Sequence, residues 1–180
     1  MTARYIGDLI PQLERILGVP HSFFESLDRD DETDWAFVIK LHALVEAAIS
    51  HLLTESLNRL ELHDIFSRLD MSNKSTGKTA FVKALELLGK DELRFINSLS
   101  ELRNTLVHDV RNVNFDLTAY VDEMDQEGQD AFLKRFNLLS TKITDDVRNL
   151  FRFDPRQALW YAGMAFLGIV YLKLRPNATH

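Results

Sequence analysis

The stretch Ser100-Glu101-Leu102-Arg103-Asn104-Thr105-Leu106-Val107-His108-Asp109 brings a guanidinium, a carboxamide and an imidazole close together along the chain. On a helix, Asn104 and His108 lie one turn apart on the same face, and Glu101 shares their stripe. Arg103 sits beside them, rotated by about 100° from Asn104. Leu99, Leu102 and Leu106 face the opposite way, toward a core. Such a trio suits one reaction well. RNA carries its own nucleophile, the 2′-hydroxyl, and its cleavage needs a base for that proton, an acid for the leaving oxygen and a cation for the phosphorane charge. Histidine titrates near neutrality and serves as base or acid. Arginine offers a fork that matches phosphate oxygens, and asparagine can orient a hydroxyl or a phosphate. No metal is needed. A single histidine cannot be base and acid in one step, so a two-fold homodimer that apposes two copies of this edge is expected.

The same residues also fit a plain solvated helix face. Arg15 and His21 are similarly spaced, but Gly18 and Pro20 interrupt any helix between them. Arg111-Asn112 and Arg148-Asn149 repeat the Arg-Asn pair without a following histidine. Ser75-Thr76-Gly77-Lys78-Thr79 has the look of a phosphate loop, yet Ser72 stands where that pattern needs glycine, and the preceding Asp64 to Leu69 reads as helix rather than strand. His42, Glu46 and His51 share one helix but not ligand spacing, so neither metal nor cofactor is expected. Asp28-Arg29-Asp30-Asp31-Glu32 reads as a solvated acidic loop.

The elements that must position the trio read as helices throughout. Apolar spacing predicts helices over about 4–17, with Ile6, Leu9, Ile10, Leu13, Ile16 and Leu17 inward, and over Trp35 to Leu57, with Asp30 or Asp31 as its cap. Shorter pieces are expected over Leu60 to Leu69 and over Thr79 to Leu88, the latter closed by Gly89. The motif helix runs from Asp91 to about Val110 and is followed by a turn-like 112–116. Beyond it come a short helix over Leu117 to Met124, a long one over Glu127 to Phe151, and a last one opened by Pro155 and running to about Leu174. Sustained period-two alternation is lacking, which argues against a sheet. Residues 158–172 form the most apolar run; it is shorter than the ~20 residues of a membrane span and reads as a core or interface helix rather than as a membrane segment.

Bulk composition sets outer bounds. The 180 residues are 46% hydrophobic and 27% charged, with only 7 glycines and 4 prolines, which favours one helical globular domain. There is no cysteine, so disulfides and thiolate zinc sites are excluded, and a reducing cytoplasm fits. The net charge of −6 excludes a general nucleic-acid coat, whose affinity rests on phosphate neutralisation. The N-terminal residues show neither the apolar run nor the cleavage site of an export signal, so a cytoplasmic location is expected.

Arg-Asn-x-x-x-His late in a helix, with an extended exit after it, resembles the signature of the HEPN superfamily. The layout from about Trp35 to Asp116 is most similar to its mannitol operon repressor (MltR-like) branch: Leu44-Val45-Glu46-Ala47-Ala48, Asp64-Ile65-Phe66-Ser67-Arg68-Leu69, the helix from Thr79, and Leu99 to His108 with Phe115-Asp116 downstream. The resemblance implies an all-α HEPN-like bundle over about 31–125; residues 126–180 lie outside it and read as a C-terminal helical extension of a single domain over 1–180. It implies a metal-independent endoribonuclease of toxin or defence type, leaving 2′,3′-cyclic phosphates, with Arg103 and His108 catalytic and Asn104 beside them. Glu46 carries over as an orienting or helix-pairing residue. It also implies the alternative of a non-catalytic MltR-like transcriptional regulator or interaction module. The implied partners are a second copy of the chain, RNA, and a cognate antitoxin or regulatory protein.

Overall fold

The computed structural model describes residues 3–27, 32–73 and 75–174. The readings made at Ile6, Leu9, Asp28, Arg29, Asp30, Asp31 and Val110 fall outside the described residues or side chains.

The chain is all-α, with no strand among the described residues. In order come α1 (Ala3–Leu17), α2 (Phe23–Leu27), α3 (Asp34–Ser56), a 3-10 turn over Leu60–Leu62, α4 (His63–Arg68), α5 (Lys78–Ala84) and α6 (Lys90–Val107). A second 3-10 turn over Val110–Asn114 leads to α7 (Leu117–Asp122), α8 (Gln126–Phe136), α9 (Asp145–Phe153) and α10 (Pro155–Leu174). Local chemistry explains the boundaries. Gly18 ends α1 in the left-handed region, at φ +65°. Thr33 caps α3, its hydroxyl accepting from the Ala36 N–H at 3.3 Å, in place of the expected Asp30 or Asp31.

Three boundaries differ from the periodicity reading. The expected helix over Glu127 to Phe151 is two helices. Asn137 breaks it by accepting the Leu139 N–H at 2.9 Å and donating to the Ser140 carbonyl at 2.9 Å, and Thr144 caps the restart. The helix expected to close at Gly89 ends at Ala84, and Gly89 instead precedes α6. The motif helix stops at Val107, so His108 lies just beyond its end.

α3 is apolar around most of its circumference because it is central: α10, α6, α4 and α5 all pack on it, and Phe37, Leu41, Val45, Ile49 and Leu53 are sealed. α10 lies so close that a Cβ on Gly163 would stand 2.6 Å from the Leu41 Cδ1. The stacked rings of Phe95 and Phe166, with centroids 5.6 Å apart, join α6 to α10. Residues from 126 onward, read from the sequence as an extension, therefore supply part of the one core. α3 and α10 each have the length and apolarity of a membrane span, but 61% and 50% of those stretches are buried against the rest of the chain.

Arg156 clamps three helix starts together. Its guanidinium lies 4.9 Å from the Phe37 ring centroid and donates to Asp34 Oδ1 at 2.9 Å, while Asp34 Oδ2 accepts the Leu117 N–H at 2.7 Å.

Gly163→Val forces branched carbon into the α3–α10 seam, and the expected cost is about 1–3 kcal/mol, read as a lowered midpoint in thermal or urea unfolding. A melting curve equal to that of the wild type would show that Leu41 gives way freely.

Candidate active site

The C-terminal end of α6 carries the Arg103-Asn104-His108 trio. A helix leaves its last four carbonyls without intrahelical donors. In α6 three of these are answered: Asn104 by the His108 N–H at 3.3 Å, Thr105 by the Asn112 side-chain amide at 2.9 Å, and Leu106 by the Trp35 indole N–H at 3.2 Å. Trp35 stands at the start of α3 and Asn112 in the following 3-10 turn, so two separate elements fix this end. His108 then turns at φ −79°, ψ −12°, and Asp109 is extended.

Of the sequence-selected residues, the structure brings Arg103 and Asn104 together and leaves His108 near them on the surface. Arg103 Nη1 donates to Asn104 Oδ1 at 3.0 Å, and both side chains are half-buried. His108 is exposed, and its ring makes no hydrogen bond to a described residue. The neighbouring carboxylates are committed elsewhere. Glu101 pairs with Arg135 of α8, and Asp109 pairs with Arg111 at 2.6 Å. That second contact holds the Asp109 carboxyl below its usual range. Glu101, placed by helical arithmetic on the stripe of Asn104 and His108, thus belongs to the α6–α8 contact instead. Among the described residues, no carboxylate oxygen lies within salt-bridge distance of Arg103.

Behind the trio lies a polar column that helical spacing did not reveal. His42 of α3 is buried and shares a hydrogen bond between its Nε2 and Ser100 Oγ at 3.2 Å; its Nδ1 faces the Glu46 carboxylate at 3.9 Å. Glu46 pairs with Lys78 at 2.6 Å, and the Lys78 ammonium, wholly out of solvent, also donates to the Ser67 carbonyl at 3.2 Å. The order Ser100–His42–Glu46 has the sequence of groups found in a nucleophilic triad. Ser100 is only 2% exposed, however, so no substrate reaches its hydroxyl, and the pair works as a pin between α3 and α6. Burial pushes the His42 imidazole below its ordinary range; Glu46 opposes that shift, Arg103 and Lys78 add to it, and Asp70 opposes it.

Lys78 reaches the column through a tightly built loop. Asp70 Oδ1 accepts the N–H groups of Ser72 and Asn73, and Asn73 Oδ1 accepts those of Ser75 and Thr76. A Cβ on Gly77 would stand 2.6–2.7 Å from backbone atoms of Asn73 and Asp70, so only glycine fits. The Gly77-Lys78 pair that resembles a phosphate loop therefore directs its ammonium inward. The i, i+4 spacing of His42 and Glu46 was the available signal for this column; the partners on α5 and α6 come from tertiary packing. A cleft of about 60 Å³ between α8 and α9, lined by Gln129, Asp130, Arg148, Asn149 and Arg152 among others, shares no residue with this region. No protein-family model matches this chain, nor does any curated protein or solved structure.

Glu46→Gln strands the sealed Lys78 charge, and the expected loss of stability is about 3–5 kcal/mol. Removing both charges in Glu46→Gln/Lys78→Met recovers most of it in urea titrations; equal losses in single and double variants would contradict the pairing. The lowered His42 pKa has a definite sign. The folded state disfavours the proton, so its contribution to stability is full above the unfolded value of 6.5 and falls as acid protonates the folded ring. Unfolding free energy should drop more steeply from about pH 7 to about pH 5 in the wild type than in His42→Gln. Parallel slopes would show that His42 takes no part.

Proposed function

We propose that this protein is a metal-independent endoribonuclease of the HEPN type, working as a homodimer in a toxin or defence role. The observation that carries the reading is the state of Arg103: half-buried, steered by Asn104, and with no carboxylate partner among the described residues, while Glu101 and Asp109 are each matched to another arginine. A structural arginine on a chain of net charge −6 ordinarily finds an acidic partner; one held ready without it suits a phosphate.

In this reading the 2′-oxygen attacks phosphorus and the 5′-oxygen leaves, giving a 2′,3′-cyclic phosphate and a free 5′-hydroxyl. His108 of one subunit takes the 2′-hydroxyl proton, and its symmetry mate protonates the 5′-oxygen. Arg103 binds the charge that grows on the non-bridging oxygens. Asn104 spends its carbonyl on Arg103, and its amide N–H groups remain for the scissile nucleotide. Glu46 stays out of the chemistry, paired with Lys78. The pinning of the α6 end by Trp35 and Asn112 supports such a role, because acid–base groups work only when held in place.

The test is incubation of total RNA with purified protein in EDTA. Wild type is expected to cleave, and His108→Ala to lose about 10²–10⁴-fold in rate. Arg103→Ala should fall by a similar factor while melting like the wild type. Intact RNA with the wild type at high concentration would overturn the nuclease and leave the non-catalytic MltR-like regulator.

A further inference from the structure

His42 meets polar groups from two helices. Glu46, one turn along α3, faces its Nδ1, and Ser100, one turn before Arg103 on α6, bonds its Nε2. The contacts Trp35–Leu106 and His42–Ser100 show that α3 and α6 run antiparallel. Side chains on a helix lean toward its N-terminus, so Arg103 leans back toward the level of Ser100 and His42. Glu46 is 31% exposed, and Lys78 holds one of its oxygens at 2.6 Å. An unoccupied carboxylate there is a natural partner for a guanidinium that has none among the described residues.

We propose that Lys78 is a positioning residue that holds the Glu46 carboxylate away from Arg103 and so keeps the guanidinium open to an anion. Its fitness for that task comes from burial. The Lys78 side chain has no contact with solvent and spends its ammonium on Glu46 and the Ser67 carbonyl, so no water competes for that ammonium. The Gly77 turn fixes where the ammonium can be, because backbone atoms of Asn73 and Asp70 crowd that turn. Asp70, the other carboxylate acting on His42, is occupied by the N–H groups of Ser72 and Asn73. That the anion is an RNA phosphodiester rests on the function proposed above; the sequestering of Glu46 does not.

The experiment compares wild type, Lys78→Met and Lys78→Met/Glu46→Gln by two readouts. The first is the 1H–15N signal of Arg103 Nε, assigned by its absence in Arg103→Lys. The second is affinity for a 2′-O-methyl oligoribonucleotide, which binds without being cleaved. In Lys78→Met the Arg103 signal should move and exchange more slowly as Glu46 captures the guanidinium. The added Glu46→Gln should return it to the wild-type position. Affinity should fall about tenfold in Lys78→Met and recover in the double variant, since one charge-assisted contact is lost and regained. A purely structural Lys78 would instead change affinity only in step with stability and leave the Arg103 signal of Lys78→Met at its wild-type position.

An Arg103 signal unchanged in Lys78→Met, or unmoved by the added Glu46→Gln, overturns the proposal. The expected signal changes without oligonucleotide binding by any of the proteins would uphold the sequestering and overturn the RNA reading. If Lys78→Met does not fold, Lys78→Gln, which keeps a donor for the Ser67 carbonyl, is judged by the same criteria.

Discussion

A helix that must present chemistry at its C-terminal end faces a difficulty, because the last turn is where its own hydrogen bonds run out. In α6 donors from outside the helix close that gap. The indole of Trp35 reaches the Leu106 carbonyl and the amide of Asn112 reaches that of Thr105. The first belongs to the central helix α3 and the second to the turn that follows α6. The orientation of Arg103 and Asn104, and the place where His108 leaves the helix, depend on this closure. Without it the end would fray and the three side chains would sample many relative positions.

The same helix α3 that closes the end of α6 also governs its electrostatics. Its apolar faces are covered by α10, α4 and α5, and its one polar column, His42 and Glu46, points at α6 and α5. A buried ammonium, a carboxylate and a neutral imidazole are costly in an apolar interior unless each has a partner. Here each does: Lys78 has Glu46 and the Ser67 carbonyl, and His42 has Ser100. Such an arrangement stabilises little compared with a hydrophobic contact of equal volume. Its effect is on specificity, since α3, α5 and α6 are matched at one register.

Much of the fold was readable because helical periodicity is strong where one face is buried, as in α6, and because α3 and α10 are long uninterrupted apolar runs. Pro155 marked the start of α10 and Gly18 the end of α1 plainly. The break between α8 and α9 was hidden, because Leu138, Leu139 and Ile143 continue an apolar rhythm through a segment that Asn137 and Thr144 turn out of helix. The candidate site was legible only in part. Arg103, Asn104 and His108 came from local spacing and lie at one helix end. Glu101 was named without its partner, because Arg135 lies on α8, far along the chain. Glu46 was named without its partner, and Lys78 was set aside with the phosphate-loop pattern, because a lysine sealed in the interior has the same sequence signature as one on the surface.

In the proposed function the reacting oxygen belongs to the RNA, and the protein would provide charge and proton transfer from one end of α6. The direct measurement uses one short RNA of defined sequence, incubated in EDTA, with products read by mass spectrometry, beside an otherwise identical strand carrying a single 2′-deoxy nucleotide at the cleaved position. The expected result is a 2′,3′-cyclic phosphate from the first strand and no cleavage at that position in the second. Cleavage of the deoxy-substituted strand at the same place, or a product ending in a 3′-hydroxyl, would contradict the account.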